Sequence, residues 1–183
     1  MTKLEAPAAL DILGFWTSAG PARWFNRSED FDSACGIYRA LWEEAAAGGL
    51  NDWLETAAGT FAYILLTDQI PRNIFRGDPQ QFQTDGIALS AARHSAARGY
   101  HRLHPMPLQN FYFLPFQHAE DLAAQEEGLD LYRAARDQDA YYWSLVHFDA
   151  IRRFGRFPHR NALLGRETTP AEAAYLESGG FGA

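Results

Sequence analysis

The sequence predicts an all-α protein, a single domain over residues 1–183 built from antiparallel helix pairs stacked on one another. Three observations carry this. Apolar residues recur three and four apart along most of the chain. Helix-start signals stand at defined places, as at Asp78-Pro79 and Thr169-Pro170. Strand signals shrink to one short run, Phe111-Tyr112-Phe113-Leu114, and a lone strand has no partner. That run is read as a buried connection or a helical turn.

In chain order, a first helix is expected around Ala8–Thr17. Phe31, Cys35, Tyr38, Leu41 and Ala45 form the next stripe, ended by Gly48-Gly49. A short helix follows around Asp52–Ala57. Phe61 and Leu65 open another stripe, which runs into Asp68 and stops before Pro71. Asp78 reads as a capping aspartate with Pro79 at the first helical position, starting a helix that reaches about Gly99. The runs Gln117–Arg136 and Gln138–Phe154 leave little room for a loop and should be antiparallel neighbours. Thr169-Pro170-Ala171-Glu172 is a capping box opening a final helix. Gly179-Gly180 marks a frayed tail. Ile70-Pro71-Arg72-Asn73 is echoed by Phe157-Pro158-His159-Arg160-Asn161, a pattern that fits a structural duplication.

Composition bounds the function. At 183 residues, with 47% hydrophobic and 21% charged, the chain can bury a core without metal or disulfide help. Its single cysteine, Cys35, excludes an internal disulfide and fits a reducing, cytoplasmic setting. Residues 1–13 carry Lys3, Glu5 and Asp11 and offer no apolar secretion segment. No stretch is long and apolar enough to predict a membrane span. A formal net charge of −7 argues against bulk nucleic-acid binding.

The charge is unevenly placed. Arg152, Arg153, Arg156, Arg160 and Arg166 crowd one segment with His159 and no acid. Guanidinium forks suit carboxylate and phosphate, so so dense an array calls either for nearby acids or for a bound anion. Asp68 falls on an apolar stripe at a helix C-terminus, where burial and the helix dipole both demand a cation, and Arg72 lies four residues on. His147 lies on the stripe Trp143, His147, Ile151, Phe154; His118 and Gln125 are placed on the preceding helix. Two imidazoles on touching helices beside Glu120 fit acid–base work as well as plain core hydrogen bonding. His118-Ala119-Glu120 has no zinc-site spacing, so no metal or other cofactor is expected.

Three stretches resemble one bacterial family, the domain of unknown function 924. They are Asp68-Gln69-Ile70-Pro71-Arg72-Asn73-Ile74-Phe75-Arg76-Gly77, Leu114-Pro115-Phe116-Gln117-His118-Ala119-Glu120-Asp121, and Phe154-Gly155-Arg156-Phe157-Pro158-His159-Arg160-Asn161 with Leu164-Gly165-Arg166. Phe15-Trp16 and Trp24-Phe25 are similar to the family's opening. The resemblance implies a tetratricopeptide-like α-α superhelix and carries no activity. Ala119 departs from it, standing where serine is expected.

Three readings follow. In the first, Arg72, Asn73, Arg76, Arg153, Arg156, His159, Arg160, Asn161 and Arg166 line a pocket for a small phosphate- or carboxylate-bearing ligand. His118, His147, Glu120 and Asp68 are then the catalytic candidates. In the second, the helical stack is a protein-interaction module gripping an acidic or C-terminal peptide. In the third, Arg152–Arg160 with Phe154 and Phe157 stacks single-stranded RNA. Oligomeric state is left open.

Overall fold

The computed structural model describes residues 6–182, so Lys3 and Glu5 of the opening segment lie outside the described residues. Among the described residues every regular element is helical and there is no strand. No helix among them is long and apolar enough to cross a membrane. The chain forms two compact units, Met1–Pro115 and Phe116–Ala183.

The first unit opens with α1 (Pro7–Ala19), α2 (Pro21–Trp24), α3 (Glu29–Cys35) and α4 (Arg39–Ala46). The stripe expected from Phe31 to Ala45 is present but broken by a 3-10 turn at Gly36–Tyr38, and the ring buried beyond it is Trp42. A second 3-10 turn, Asn51–Glu55, leads into α5 (Ala57–Ile64), which is buried from Gly59 onward on all sides. Only glycine fits at position 59, because a Cβ there would sit 2.3 Å from the Trp53 carbonyl oxygen. Beyond α5 the chain widens into a π-turn, Leu65–Gln69, before α6 (Ile70–Ile74).

α7 (Asp85–Arg98) follows, then α8 (Asn110–His118). The single helix expected from Pro79 to Gly99 is in fact a 3-10 turn, Pro79–Phe82, followed by α7. The break has a tertiary cause. Thr84 Oγ1 donates to the Thr67 carbonyl at 2.6 Å and accepts from Trp42 Nε1 at 3.0 Å, which fixes the backbone there. The β-like Phe111–Leu114 run is the buried start of α8, where Phe111 packs edge-on against Trp16 and Trp24 and Tyr112 stacks on Phe61 at 4.5 Å.

The second unit carries the end of α8, then α9 (Leu122–Ala135), α10 (Gln138–Phe154) and α11 (Pro170–Glu177). The expected helix over Gln117–Arg136 is two elements. Asp121 is the N-cap of α9, its carboxylate accepting the Ala124 N–H at 2.7 Å, and so His118 closes α8 rather than sharing a helix with Gln125. Gly128 of α9 lies against Phe116, where any Cβ would come within 2.8 Å of the Phe116 Cβ. α10 ends at Gly155, whose φ of 68° is the left-handed cap that glycine allows. A 3-10 turn, Pro158–Arg160, follows, and α11 begins with the expected capping box. The Arg-Asn echo therefore spans two different local structures, α6 and this 3-10 turn.

Candidate functional site

Arginines placed together by the sequence reading fall into separate settings. In the first unit Asp68 is fully buried, accepts a hydrogen bond from Gln69 Nε2 and pairs with Arg72 at 3.3 Å. The π-turn makes this i,i+4 pair feasible despite Pro71. Arg72 also donates to the Asp68 carbonyl and reaches Asp85 at 3.0 Å. Burial disfavours its charge, but Asp68 and Asp85 outweigh that and hold the guanidinium firmly protonated. Arg76 grips Asp32 with two nitrogens at 2.7 and 2.8 Å and Asn73 Oδ1 at 3.1 Å. Asn73 in turn donates to the Gln69 carbonyl. These side chains close turns between helices.

In the second unit three of the named arginines are matched to acids. Arg156 holds Glu172 through two bonds of 2.6 and 2.9 Å and pushes its carboxyl down to about 2. Arg166 holds Glu120 at 2.6 and 2.9 Å and also donates to the Phe157 carbonyl. Glu120 accepts the Phe157 N–H at 2.8 Å. Burial opposes its ionisation, yet these bonds hold it below the usual carboxylate range. Glu120 and Arg166 together clamp the turn after α10. Arg153 pairs with Asp149 on the exposed side of α10 at 2.9 Å. Asn161 is fully buried and donates to Thr168 at 3.4 Å.

What that clamp positions is a cluster of imidazoles. Phe157 is fully buried against Ala150 and Ile151, with Tyr175 and Phe181 packed beside them. Its ring therefore offers no open face for a nucleobase. His147 lies edge-on to Phe157 and within 4.1 Å of the Phe181 ring, and His159 lies 5.0 Å from Phe181. The Arg160 guanidinium stands 4.6 Å over the Phe157 ring. The His147 Nδ1 bonds to the Trp143 carbonyl at 2.7 Å, which puts the ring proton there and leaves Nε2 as an acceptor in the neutral form. Nδ1 of His159 is buried with no hydrogen-bond partner among the described residues.

Burial dominates the electrostatics of this cluster. Desolvation, reinforced by His118, Arg160 and His159, pushes His147 down to about 3, against the Trp143 carbonyl. Burial first, then Arg160, pushes His159 down to about 4, opposed by the Phe181 backbone and Glu120. Both rings are neutral at pH 7. The sequence reading missed Phe181. Gly179-Gly180 is not a frayed end but a return, in which the Gly180 N–H bonds the Tyr175 carbonyl and the Phe181 N–H bonds the Tyr175 hydroxyl. An aromatic ring directly after two glycines was the available signal. Trp143, expected on the buried stripe, is exposed. Among the described residues no group of three or more His, Cys, Asp or Glu side chains is placed to hold a metal ion.

A family model described as "Bacterial protein of unknown function (DUF924)" matches residues 12–180. Among solved structures, a protein of unknown function from Agrobacterium tumefaciens is similar, with 42% identity and a TM-score of 0.89. The match covers 93% of this chain and 97% of that one. No curated protein matches.

Proposed function

The chain belongs to that bacterial family, whose description names no activity, and from the geometry of its second unit we propose that it binds the phosphate or carboxylate group of a small ligand. His147, His159 and Arg160 receive the anion, with His118 beside them. One observation carries the reading. His147 is a desolvated imidazole, and the side-chain charges acting on it, His118, Arg160 and His159, all share its sign. Burial beside the Arg160 guanidinium makes protonating these rings costly, and a bound anion offsets that cost. On binding, both imidazoles rise toward their ordinary pKa, take up protons and become donors. Glu120 and Arg166 hold the turn that presents His159 and Arg160. Because burial leaves His147 a weak base in the free protein, the assigned role is binding. A cytoplasmic setting and the tetratricopeptide-like stacking implied by the family resemblance belong to the same proposal; the buried, unpaired thiol of Cys35 supports the first.

The test is thermal unfolding of the full chain with inorganic phosphate, acetate, and a panel of phosphorylated and carboxylated metabolites. A ligand at a hundredfold excess over its Kd adds about 2.7 kcal/mol, several degrees for a domain of this size. Arg160→Ala and His159→Gln should each remove the shift, while Arg152→Ala keeps it. Calorimetry in buffers of different ionisation enthalpy should show net proton uptake. If no member of the panel moves the transition, or if Arg160→Lys, Arg160→Ala and His159→Gln all leave a shift intact, the reading fails.

A further inference from the structure

We propose that two copies of this chain associate through the outer face of α10, antiparallel about a two-fold axis at Val146. The inference is independent of the anion site, which lies on the opposite, buried side of the helix. Inward, α10 presents Ser144, His147, Ala150 and Ile151. Outward, where an amphipathic helix should be polar, it presents Tyr142 and Leu145, exposed at 60% and 40%, and Trp143, exposed at 54%, stands on the flank of that face with its ring 5.6 Å from that of Tyr142. Val146, between them and the core, is half-buried. Three adjacent large apolar side chains in water at mid-helix make a patch rather than scattered exposure.

Charge identifies the occupant. Asp139 is exposed on one side of the patch, and Arg153, paired with Asp149 of its own helix but with its side chain 51% exposed, stands on the other. Each lies about two helical turns from Val146, about 10.5 Å along the axis. The separation from Asp139 to Arg153 is nearly four helical turns, so both stand on the same edge of the face. A two-fold axis perpendicular to the pair of helices keeps that edge in register. It brings Asp139 against the second copy's Arg153, and by symmetry makes the same contact twice. At the axis Leu145 meets Leu145 and Val146 meets Val146, and each Tyr142 hydroxyl comes to the Asp149 carboxylate across the interface. A parallel arrangement would set acid on acid and arginine on arginine. The face is thus complementary to its own reverse, which is what a second copy supplies.

One helix face falls short of the roughly 800 Å² per partner of a standard interface, so the dimer is expected in the micromolar range. Sedimentation of the full chain from roughly 5 to 500 µM tests it. The wild-type protein should pass from monomer to dimer across that range. Leu145→Asp should weaken association by more than about tenfold, and Asp139→Arg or Arg153→Asp alone by at least about tenfold. Mixing the two charge variants should recover a heterodimer near wild-type affinity, because opposite signs then face each other at both contacts. Circular dichroism confirms that each variant is folded. A wild-type chain that stays monomeric throughout overturns the proposal. So does a dimer that survives either charge reversal alone, or a mixture that fails to pair.

Discussion

Two regions of this molecule solve the problem of a basic side chain near the core in opposite ways. In the first unit, Arg72 and Arg76 each close on carboxylates: Asp68 and Asp85 for the one, Asp32 for the other. Every charge there meets its opposite, and the result is a rivet. Around Phe157 in the second unit, His147 and His159 are instead kept neutral chiefly by burial, with Arg160 reinforcing it and Glu120 opposing it at His159. Glu120, the carboxylate that acts on His159, also holds Arg166 and the Phe157 N–H. The difference separates fold from function. Matched charges hold helices together, whereas imidazoles kept neutral by burial are the groups that the proposed anion would protonate.

The comparison breaks most visibly at Arg72. Arg72→Met keeps the side-chain length and removes the cation from a carboxylate that is 0% exposed. Removing one partner of a buried pair costs about 3–5 kcal/mol, because the other charge is stranded. Asp68 then ionises only at the expense of stability, so the loss should shrink in the double variant Arg72→Met, Asp68→Asn. Urea unfolding of the wild type and the variants measures this. A loss below about 1 kcal/mol for Arg72→Met would mean that Asp68 is satisfied without it.

This pair also marks how far the sequence could be read. Asp68 and Arg72 are four apart on an apolar stripe, so their partnership was visible in the pattern. The acids for Arg76 and Arg166 were not, since Asp32 and Glu120 lie 44 and 46 residues away. Helix ends set by local chemistry were legible: Gly155 closing α10, Thr169 opening α11. Those set by distant contacts were not. The break at Thr84 depends on Thr67 and Trp42, and nothing in residues 78–99 announces it. Asp121 is a different case, because an aspartate before Leu-Ala-Ala is a cap signal that an unbroken helical period concealed. At the site, His147 stands out as a polar residue on an apolar stripe, and His159 and Arg160 as members of a basic segment without an acid. Phe181, which packs against both rings, lies beyond the last helix and follows two glycines that read as a tail.

A smaller effect sharpens the second half of the comparison. His147 titrates at an ordinary value, near 6.5, in the unfolded chain but only at about 3 when folded. Between those values the unfolded state holds more protons, so stability falls as pH falls, at about 1.4 kcal/mol per pH unit for this group, and is unaffected well above the upper value. His159, pushed down to about 4, acts in the same direction. Glu172 contributes in that sense only below its ordinary 4.5, so the interval from about pH 6 to about pH 5 isolates the imidazoles. His147→Asn retains a donor for the Trp143 carbonyl and should flatten the slope over that interval by up to about 1.4 kcal/mol. An anion that binds the cluster should flatten it as well, by letting the folded state accept the proton. A slope unchanged in the variant would mean that His147 binds its proton equally in the folded and unfolded chain over this interval.

The smallest effect is expected at Arg152, and its smallness is informative. The side chain is 60% exposed and reaches Asp149 at 3.4 Å, an acid already held by Arg153 at 2.9 Å. Exposed pairs of this kind contribute about 0.5 kcal/mol or less, even with help from the helix C-terminus. Arg152→Ala should therefore move the urea midpoint by less than about 0.5 kcal/mol and leave any phosphate-induced shift intact. It belongs to the same arginine-rich segment as Arg160 but stands on α10, whereas Arg160 lies in the 3-10 turn beyond it. If its removal weakened anion binding as much as Arg160→Ala does, the attraction would come from the summed charge of the segment rather than from a built site. The contrast between the two arginines thus tests whether position, and not composition, makes this cluster different from the rivets of the first unit.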